Sequence, residues 1–209
     1  MLLLAFPDSS NNIEIFSNNN NDKINGNGAR KIKIYGLKTK QSVHIDTEII
    51  NMNGKQKVYL ADTWWRIHKA EVITAGNHGT NISKITVRGR PNSPNYCTIQ
   101  QSDTTSTSGV FTVPAYKQLI IKKIMLILAT KKGDRVHANI ALNVRDNEYN
   151  DSAFIRKKNF NIQAGIMANF NYDAGLIIDE GSDIKLTVIE TTEKDCVISG
   201  EIEYFLVSK

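Results

Sequence analysis

The sequence has 209 residues, of which 41% are hydrophobic and 22% charged, with a formal net charge of +5. This composition supplies enough apolar surface for a buried core and excludes a wholly disordered chain. The modest positive charge is far below that of proteins that package nucleic acid, so we expect no nucleic-acid partner.

Membrane and secretory segments are not indicated. The longest apolar run, LIIKKIMLILA from residue 119, is interrupted by two lysines and is shorter than the roughly 20 residues that a spanning helix needs. The apolar start MLLLAF lacks the basic segment of a signal peptide. The two cysteines, Cys97 and Cys196, form neither a disulfide framework nor a zinc pattern, and they suit a reducing compartment. We therefore expect a soluble, non-secreted protein with no membrane partner.

The positive charge lies in one half of the chain. Residues 1–107 contain 13 Lys and Arg against 8 Asp and Glu, whereas residues 108–209 contain 13 of each. The excess indicates either an acidic neighbour for the first half or simply a solvated basic face.

An alternation of apolar and polar residues dominates the chain and predicts strands with one wet face. It runs, in order, through residues 31–37, 42–50, 84–89, 137–145, 183–190 and 196–207. Asn53-Gly54, Gly133-Asp134 and Gly181-Ser182 suit tight turns, because Asn and Gly tolerate positive φ. The best helix candidate, residues 159–170, lacks a 3.6-residue period and contains Gly165, so we predict strand or loop there.

The stretch NGNGARKIKIYGL, residues 25–37, places two Asn-Gly pairs before a basic cluster and invites comparison with a phosphate-binding loop. Such loops lead into a helix whose first amides converge on the anion. Here the glycines lead into an alternating run, which is a strand pattern. We therefore predict a hairpin turn and no phosphate site.

A segment without apolar residues, Gln100–Gly109, divides the chain. We predict a linker or long exposed loop there, and two domains, residues 1–105 and 106–209. Many short strands at roughly 8–12-residue spacing are typical of antiparallel sandwiches. The predicted fold is therefore all-β, with two antiparallel β-sandwich domains, the second open to a jelly-roll-like arrangement.

Patterns for catalysis or metal binding are absent or weak. The histidines His44, His68, His78 and His137 lack metal-ligand spacing, and no G-x-S-x-G or S-x-x-K motif occurs. The acidic loop RDNEYND, residues 145–151, has oxygen ligands at alternate positions but lacks the glycine and terminal glutamate of a calcium loop. We predict no catalytic, cofactor-binding or metal-binding residues, and no enzyme.

Two adjacent tryptophans in DTWWRIHKAEV indicate a contact surface. Adjacent strand residues face opposite sides, so one indole can enter the core while the other stays near the surface. An exposed tryptophan can stack on a sugar ring or anchor a subunit contact. The candidate contact surface comprises Trp64, Trp65, Arg66, His68 and Lys69, and burial of the indoles by another layer is the alternative.

Between residues 25 and 120 the segments NGNGARKIKIYGL, SVHIDTEIINMNG, DTWWRIHKAEVITAGNHGTNISKITV and VFTVPAYKQLII follow one another. Their order resembles the patterns G-x-G-A-R-x-V/I-x-V/I-x-G-L, T-E-x-V/I-x-L/M-N-G, R-V/I-x-R/K-A, T-A-G-x-x-G-x-N-x-G-x-I-T-V and Y/F-T-V-P-A-G of one family. These are virion structural proteins of tailed, often marine, bacteriophages and related environmental viruses. The matching residues are Gly28, Ala29, Arg30, Gly36, Leu37, Thr47, Glu48, Met52, Asn53, Gly54, Arg66, Ile67, Lys69, Ala70, Thr74, Ala75, Gly76, Gly79, Asn81, Ile85, Thr86, Val87, Phe111, Thr112, Val113, Pro114 and Ala115. Ser83 and Tyr116 depart from the family, which has glycine at both positions.

The resemblance implies a non-enzymatic structural component of a virus particle: a capsid decoration, a minor capsid protein, or a tail- or fibre-associated protein. Such a protein would be synthesised in the host cytoplasm and located in the virion. It would assemble with copies of itself and with other virion proteins, as a homo-oligomer such as a trimer or ring. A carbohydrate- or receptor-binding attachment module for a host-surface glycan is the alternative, and a hydrolase acting on cell-surface polymer is the third.

Overall fold

A computed structural model of the chain describes residues 6–7, 9–90, 95–106, 110–130, 136–148, 152–193 and 195–209. The named elements in these ranges are β-strands that pair in antiparallel sheets. None of the described residues forms a helix long and apolar enough to cross a membrane. The chain divides into two compact units, residues 1–108 and 109–209, where the sequence predicted a division after residue 105.

The first unit is a sandwich of a four-stranded and a three-stranded sheet. Its strands are β1 (Asn11–Ser17), β2 (Ala29–Leu37), β3 (Asp46–Asn51), β4 (Val58–Trp64), β5 (Arg66–Ala75), β6 (Ile85–Gly89) and β7 (Asn95–Ile99). The sheet orders are β4-β1-β6-β7 and β3-β2-β5. Ile13, Ile34 and Trp64 are fully buried in the shared core. One face of each sheet thus meets the other, as alternation predicts.

The second unit repeats the four-plus-three arrangement with longer strands. They are β8 (Val110–Thr112), β9 (Lys117–Thr130), β10 (His137–Arg145), β11 (Ile155–Gln163), β12 (Met167–Ile178), β13 (Asp183–Thr191) and β14 (Cys196–Ser208). The sheet orders are β11-β10-β13-β8 and β12-β9-β14. β9 pairs with β14 and β10 pairs with β13, so the first strands of the unit pair with its last strands in reverse chain order. The predicted all-β fold of two antiparallel sandwiches is confirmed.

The turn predictions hold where the structure describes them. Gly54 and Gly181 have positive φ, 64° and 71°, whereas Gly133-Asp134 lies outside the described residues. In the helix candidate, β11 ends at residue 163, a turn with Gly165 at φ 77° follows, and β12 begins at residue 167. The predicted strand or loop is therefore strand, turn and strand.

Part of the predicted linker belongs to the first unit. Val72 N donates to Thr104 O (2.7 Å), and Ser106 N donates to Ala70 O (2.8 Å). Ser106 Oγ also accepts from Ala70 N (2.9 Å). These bonds place the segment beside β5. The prediction of an exposed loop holds for residues 100–104 and is wrong for Ser106, which is buried. A segment without apolar residues can pair in this way because its hydroxyls and backbone satisfy neighbouring backbone groups.

The Asn-Gly stretch before β2 is a crossover and not the predicted hairpin, since β1 and β2 lie in different sheets. A fully buried carboxylate, Asp22, holds this loop. It accepts hydrogen bonds from Ala29 N (2.9 Å), Ile82 N (2.9 Å), Ser83 N (3.2 Å) and Ser17 Oγ (2.5 Å). A Cβ at Gly28 would lie 2.1 Å from Asp22 Oδ1, so close approach to the carboxylate requires glycine there.

Candidate functional site

The predicted contact surface lies almost entirely inside the first unit. Trp64 is fully buried, Trp65, Arg66 and His68 are at most 7% exposed, and only Lys69 of the five is partly exposed. Trp65 lies at the corner between β4 and β5, which belong to different sheets, so strand alternation does not apply to it. Neither indole reaches the surface, so the alternative of buried indoles holds, and the prediction of a tryptophan exposed for glycan stacking or subunit contact is wrong.

Arg66 has a structural role at this corner. Its Nη1 donates to the carbonyl oxygens of Pro7 and Trp65. The guanidinium carbon is 3.9 Å from the centroid of the Trp65 ring and 5.6 Å from that of Phe6. The Arg66 side chain therefore links the segment that precedes β1 to the corner between β4 and β5.

Lys69 lies in a small surface group on β2 and β5. Its ammonium is 3.4 Å from the Glu71 carboxylate and 5.3 Å from the centroid of the Tyr35 ring. The Tyr35 hydroxyl donates to Glu71 Oε2 (2.8 Å) and, together with Lys69, holds the pKa of Glu71 below its usual value. Exposed pairs of this kind contribute little free energy and do not by themselves define a site.

The buried cysteine and the described acidic-loop side chains, which could take part in catalysis or metal binding, have structural roles. Burial raises the pKa of the Cys97 thiol to about 12, so it is protonated and unreactive at neutral pH. In the described part of the acidic loop, Asp146 Oδ1 accepts from Glu148 N (2.8 Å), and Arg145 pairs with Asp183 of β13 (2.5 Å). Among the described residues no three His, Cys, Asp or Glu side chains come together as metal ligands.

An apolar surface lies on the solvent side of the sheet β12-β9-β14, and we call it the outer face. Its apolar rows run across the three strands. One row contains Met167, Ile127 and Ser199, with Val197 close by, and the other contains Ile177, Ile120 and Phe205. Met167, Ile177, Phe205 and Val197 are 58, 56, 55 and 67% exposed. Exposed apolar residues grouped on one face of a soluble domain commonly mark a site of protein contact.

A band with polar residues separates the two apolar rows. It contains Asn169, Met125 and Glu201 in one row and Asn171, Lys123 and Glu203 in the next. A depression of about 300 Å³ lies here, lined in part by Met125, Met167 and Glu201. The outer face thus combines apolar side chains with charges of both signs, a composition suited to a protein partner.

The sequence of β9 contains a pattern that indicates this face. A strand with one wet side alternates, but LIIKKIMLILA is apolar at odd and even positions on both sides of its two lysines. In β14 Val197 and Phe205 point outward while Ile198 and Ile202 pack toward the core. Apolar residues on both faces of neighbouring strands would have predicted a second contact layer.

A polar groove of about 260 Å³ lies on the other sheet of the second unit. It is lined by His137, Ala138, Asn139, Asn161, Glu190 and Thr192. Asn139 pairs in register with Asn161 on one side and Glu190 on the other. The Asn139 Oδ1 atom is buried and has no hydrogen-bond partner among the described residues, so one acceptor beside the groove is unused.

These features define an all-β protein of two sandwich units in which the outer face is the leading candidate for a contact site. Comparison of the chain with family models, with curated proteins and with solved structures found no match.

Proposed function

We propose that the protein is a non-enzymatic structural component of a virus particle, such as a capsid decoration, minor capsid, tail- or fibre-associated protein. It acts by contacts with copies of itself and with other virion proteins. The observation that carries the proposal is the outer face, where Met167, Ile177, Val197 and Phe205 are each more than half exposed. Covering the exposed part of one such side chain is worth about 1–2 kcal/mol, and several together can offset the entropy lost on association.

The resemblance to virion proteins supports the same function from a different part of the chain. Its matching residues lie between residues 28 and 115, largely in the first unit. The outer face lies in the second unit, so the two lines of support do not share residues. Contact by a preformed sheet face also requires little ordering on binding, which favours repeated assembly.

The composition of purified particles tests the proposal. We expect mass spectrometry of particles from the source virus to find this chain at a fixed copy number relative to the major capsid protein. Absence of the chain from purified particles, with the protein present in infected cells, would overturn the proposal.

A matched pair of substitutions tests the part played by the outer face. Ile177 on β12 and Ile49 on β3 are each 56% exposed, and each is replaced by lysine. We expect Ile177→Lys to lower incorporation into particles by about tenfold or more, since a buried contact would receive a charge. Ile49→Lys should incorporate normally. Equal incorporation of both variants would remove the outer face from the proposal.

A second candidate function, attachment to a host-surface glycan, is favoured by the polar groove. Sugar hydroxyls can donate to the Glu190 carboxylate and accept from the Asn161 amide, and Asn139 lies between these two residues in the groove. A role for Trp64 or Trp65 in stacking on sugar is not part of this candidate, because both indoles are buried.

A glycan array tests this second candidate with the wild type and two variants. We expect Asn139→Leu to abolish a glycan signal that the wild type shows and that Asn171→Leu, on the opposite sheet, retains. If the wild type binds no glycan on the array, or if Asn139→Leu binds as well as the wild type, attachment through this groove is excluded.

A further inference from the structure

The second unit has two lateral sides, each formed by the edge strands of its two sheets. β11 and β12 lie on one side, where the Phe160 and Phe170 rings are 4.6 Å apart between centroids. β8 and β14 lie on the opposite side, where the Phe111 and Tyr204 rings are 5.4 Å apart. Within the described residues β11 pairs only with β10, and β14 only with β9, so each strand has one unpaired backbone edge.

The β11 side is basic, and we call it the basic edge. Arg156, Lys157 and Lys158 follow one another at exposed positions of β11. No ion pair joins them to a carboxylate among the described residues. Exposed Ile155 (63% exposed) precedes them on the same strand, and exposed Ile177 lies on β12, the other edge strand of this side. Three neighbouring cations on an edge strand keep like edges apart.

The β14 side is acidic, and we call it the acidic edge. Glu201 and Glu203 are exposed on β14, and in the described part of the chain neither forms an ion pair. Glu203 lies opposite Lys123 in the register, whereas Glu201 lies opposite Met125. Exposed Val197 and Phe205 flank the two carboxylates on the same strand. The acidic edge therefore mirrors the basic edge in its mixture of charge and apolar surface, with the opposite sign.

Charge decides which edges can meet. If two acidic edges paired in antiparallel register centred on residue 202, Glu201 of one copy would lie opposite Glu203 of the other. Two basic edges would likewise bring cations together. Both arrangements are destabilising because like charges repel. One acidic and one basic edge pair unlike charges and cover apolar residues on both sides. We infer that the basic edge of one copy binds the acidic edge of the next, a head-to-tail contact between copies of this chain. Such a contact closes into a ring where its rotation permits.

The inference rests on the proposed function for its biological setting, since it names the surfaces through which a particle component would meet its own copies. Its test is independent of the particle. Light scattering after size exclusion gives the mass of the purified wild type against the 23.4 kDa of one chain. Three variants follow: Glu201→Lys with Glu203→Lys, Arg156→Glu with Lys157→Glu, and all four changes together. Lys23→Glu with Lys55→Glu, in the first unit, is the control for charge change alone.

We expect an oligomeric wild type and control, a monomer from each double variant, and an oligomer again from the fourfold variant, whose edges are exchanged in sign. Mixing the two double variants should also restore association, because each then finds an opposite edge. Circular dichroism confirms that every variant keeps its sheets.

A monomeric wild type at every protein concentration would overturn the inference while leaving the proposed function to the composition of particles. Double variants that remain oligomeric would overturn it as well. So would a fourfold variant that stays monomeric, since the edges would then not be partners. If the chain is absent from particles but the charge exchange behaves as expected, the proposed function fails and the head-to-tail contact stands.

Discussion

The two units share one plan, a four-stranded sheet on a three-stranded sheet, and each buries charged side chains, such as Asp183 in the second unit. They differ in the apolar side chains that they leave exposed. The first unit buries Asp22, Glu14 and Arg66 in hydrogen bonds or ion pairs. The second unit leaves Met167 and Val197 exposed on its outer face. Buried hydrogen bonds and ion pairs stabilise particular loop conformations. Exposed apolar rows are surfaces to which other molecules commonly bind.

Exposed apolar residues also occur on the first unit, but in a different setting. Ile49 on β3, for example, is opposite Lys33 on β2, and Lys33 lies 4.8 Å from the centroid of the Tyr35 ring. Lysine stems cover such a surface and keep their ammonium groups in water. Side chains of the first unit thus cover Ile49 in part, whereas under the proposed function a neighbouring subunit would cover the outer face of the second unit.

The largest effect on stability should come from removing the buried Asp22 carboxylate, which accepts four hydrogen bonds in the first unit. Asp22→Ala would leave three backbone N–H groups and the Ser17 hydroxyl without their acceptor, and we expect a loss of about 3 kcal/mol or more in the free energy of unfolding. Urea unfolding followed by tryptophan fluorescence measures it, because both tryptophans lie in the first unit.

The matched control for Asp22→Ala is Asp62→Ala, which removes an exposed carboxylate paired with Lys38 (2.6 Å) in the same unit. A surface pair should cost less than about 1 kcal/mol. Similar losses for the two variants would show that the Asp22 network does not hold the first unit together.

A smaller, pH-dependent effect is expected at Glu14. Burial raises the pKa of its carboxyl, but hydrogen bonds and charges from Arg88 and Lys57 outweigh burial and hold the pKa below its usual value. The ionised carboxylate therefore stabilises fully above the pKa of an unfolded glutamate, about 4.3, and this stabilisation is lost as pH falls through the lower folded value.

Glu14→Gln should accordingly destabilise the first unit by about 1–2 kcal/mol at neutral pH, with the difference from wild type narrowing toward pH 3. Tryptophan-detected urea midpoints at several pH values measure the difference. A gap between wild type and variant that is constant from pH 7 to pH 3 would contradict the role assigned to the carboxylate.

The smallest effects should be increases in the free energy of unfolding, from one substitution in each unit. Ser102 in the first unit and Tyr116 in the second are non-glycine residues with left-handed backbone, at φ 63° and 58°. Glycine relieves the steric cost of that conformation, so Ser102→Gly and Tyr116→Gly should each stabilise by about 0.5–1 kcal/mol. Tryptophan fluorescence should report the first change and circular dichroism the second. Losses of stability of that size would mean that the hydroxyl-bearing side chains contribute contacts of their own.

Local features of the chain were predictable from sequence. Alternation found six of the fourteen strands of the described residues, namely β2, β3, β6, β10, β13 and β14. The positive φ at Gly54 and Gly181 followed from Asn-Gly and Gly-Ser chemistry. The departure of Tyr116 from the glycine of the resembling family also has a physical counterpart, because its left-handed φ is the conformation that glycine adopts most easily.

Features that depend on distant residues were not predictable. The stretch before β2 is a crossover because Asp22 bonds to Ile82 and Ser83, about 60 residues away in sequence. Trp65 is buried because β4 and β5 belong to different sheets, which strand alternation cannot express. The outer face required knowing that three strands rich in apolar residues on both faces lie side by side.

Electron cryo-microscopy of purified particles tests most directly whether the second unit is completed by contact. We expect density for this chain in which a neighbouring subunit covers Met167, Ile177, Val197 and Phe205, while Ile49 of the first unit stays in solvent. A map that contains the chain with those four residues in solvent, or particles that lack the chain, would contradict the contact role of the second unit.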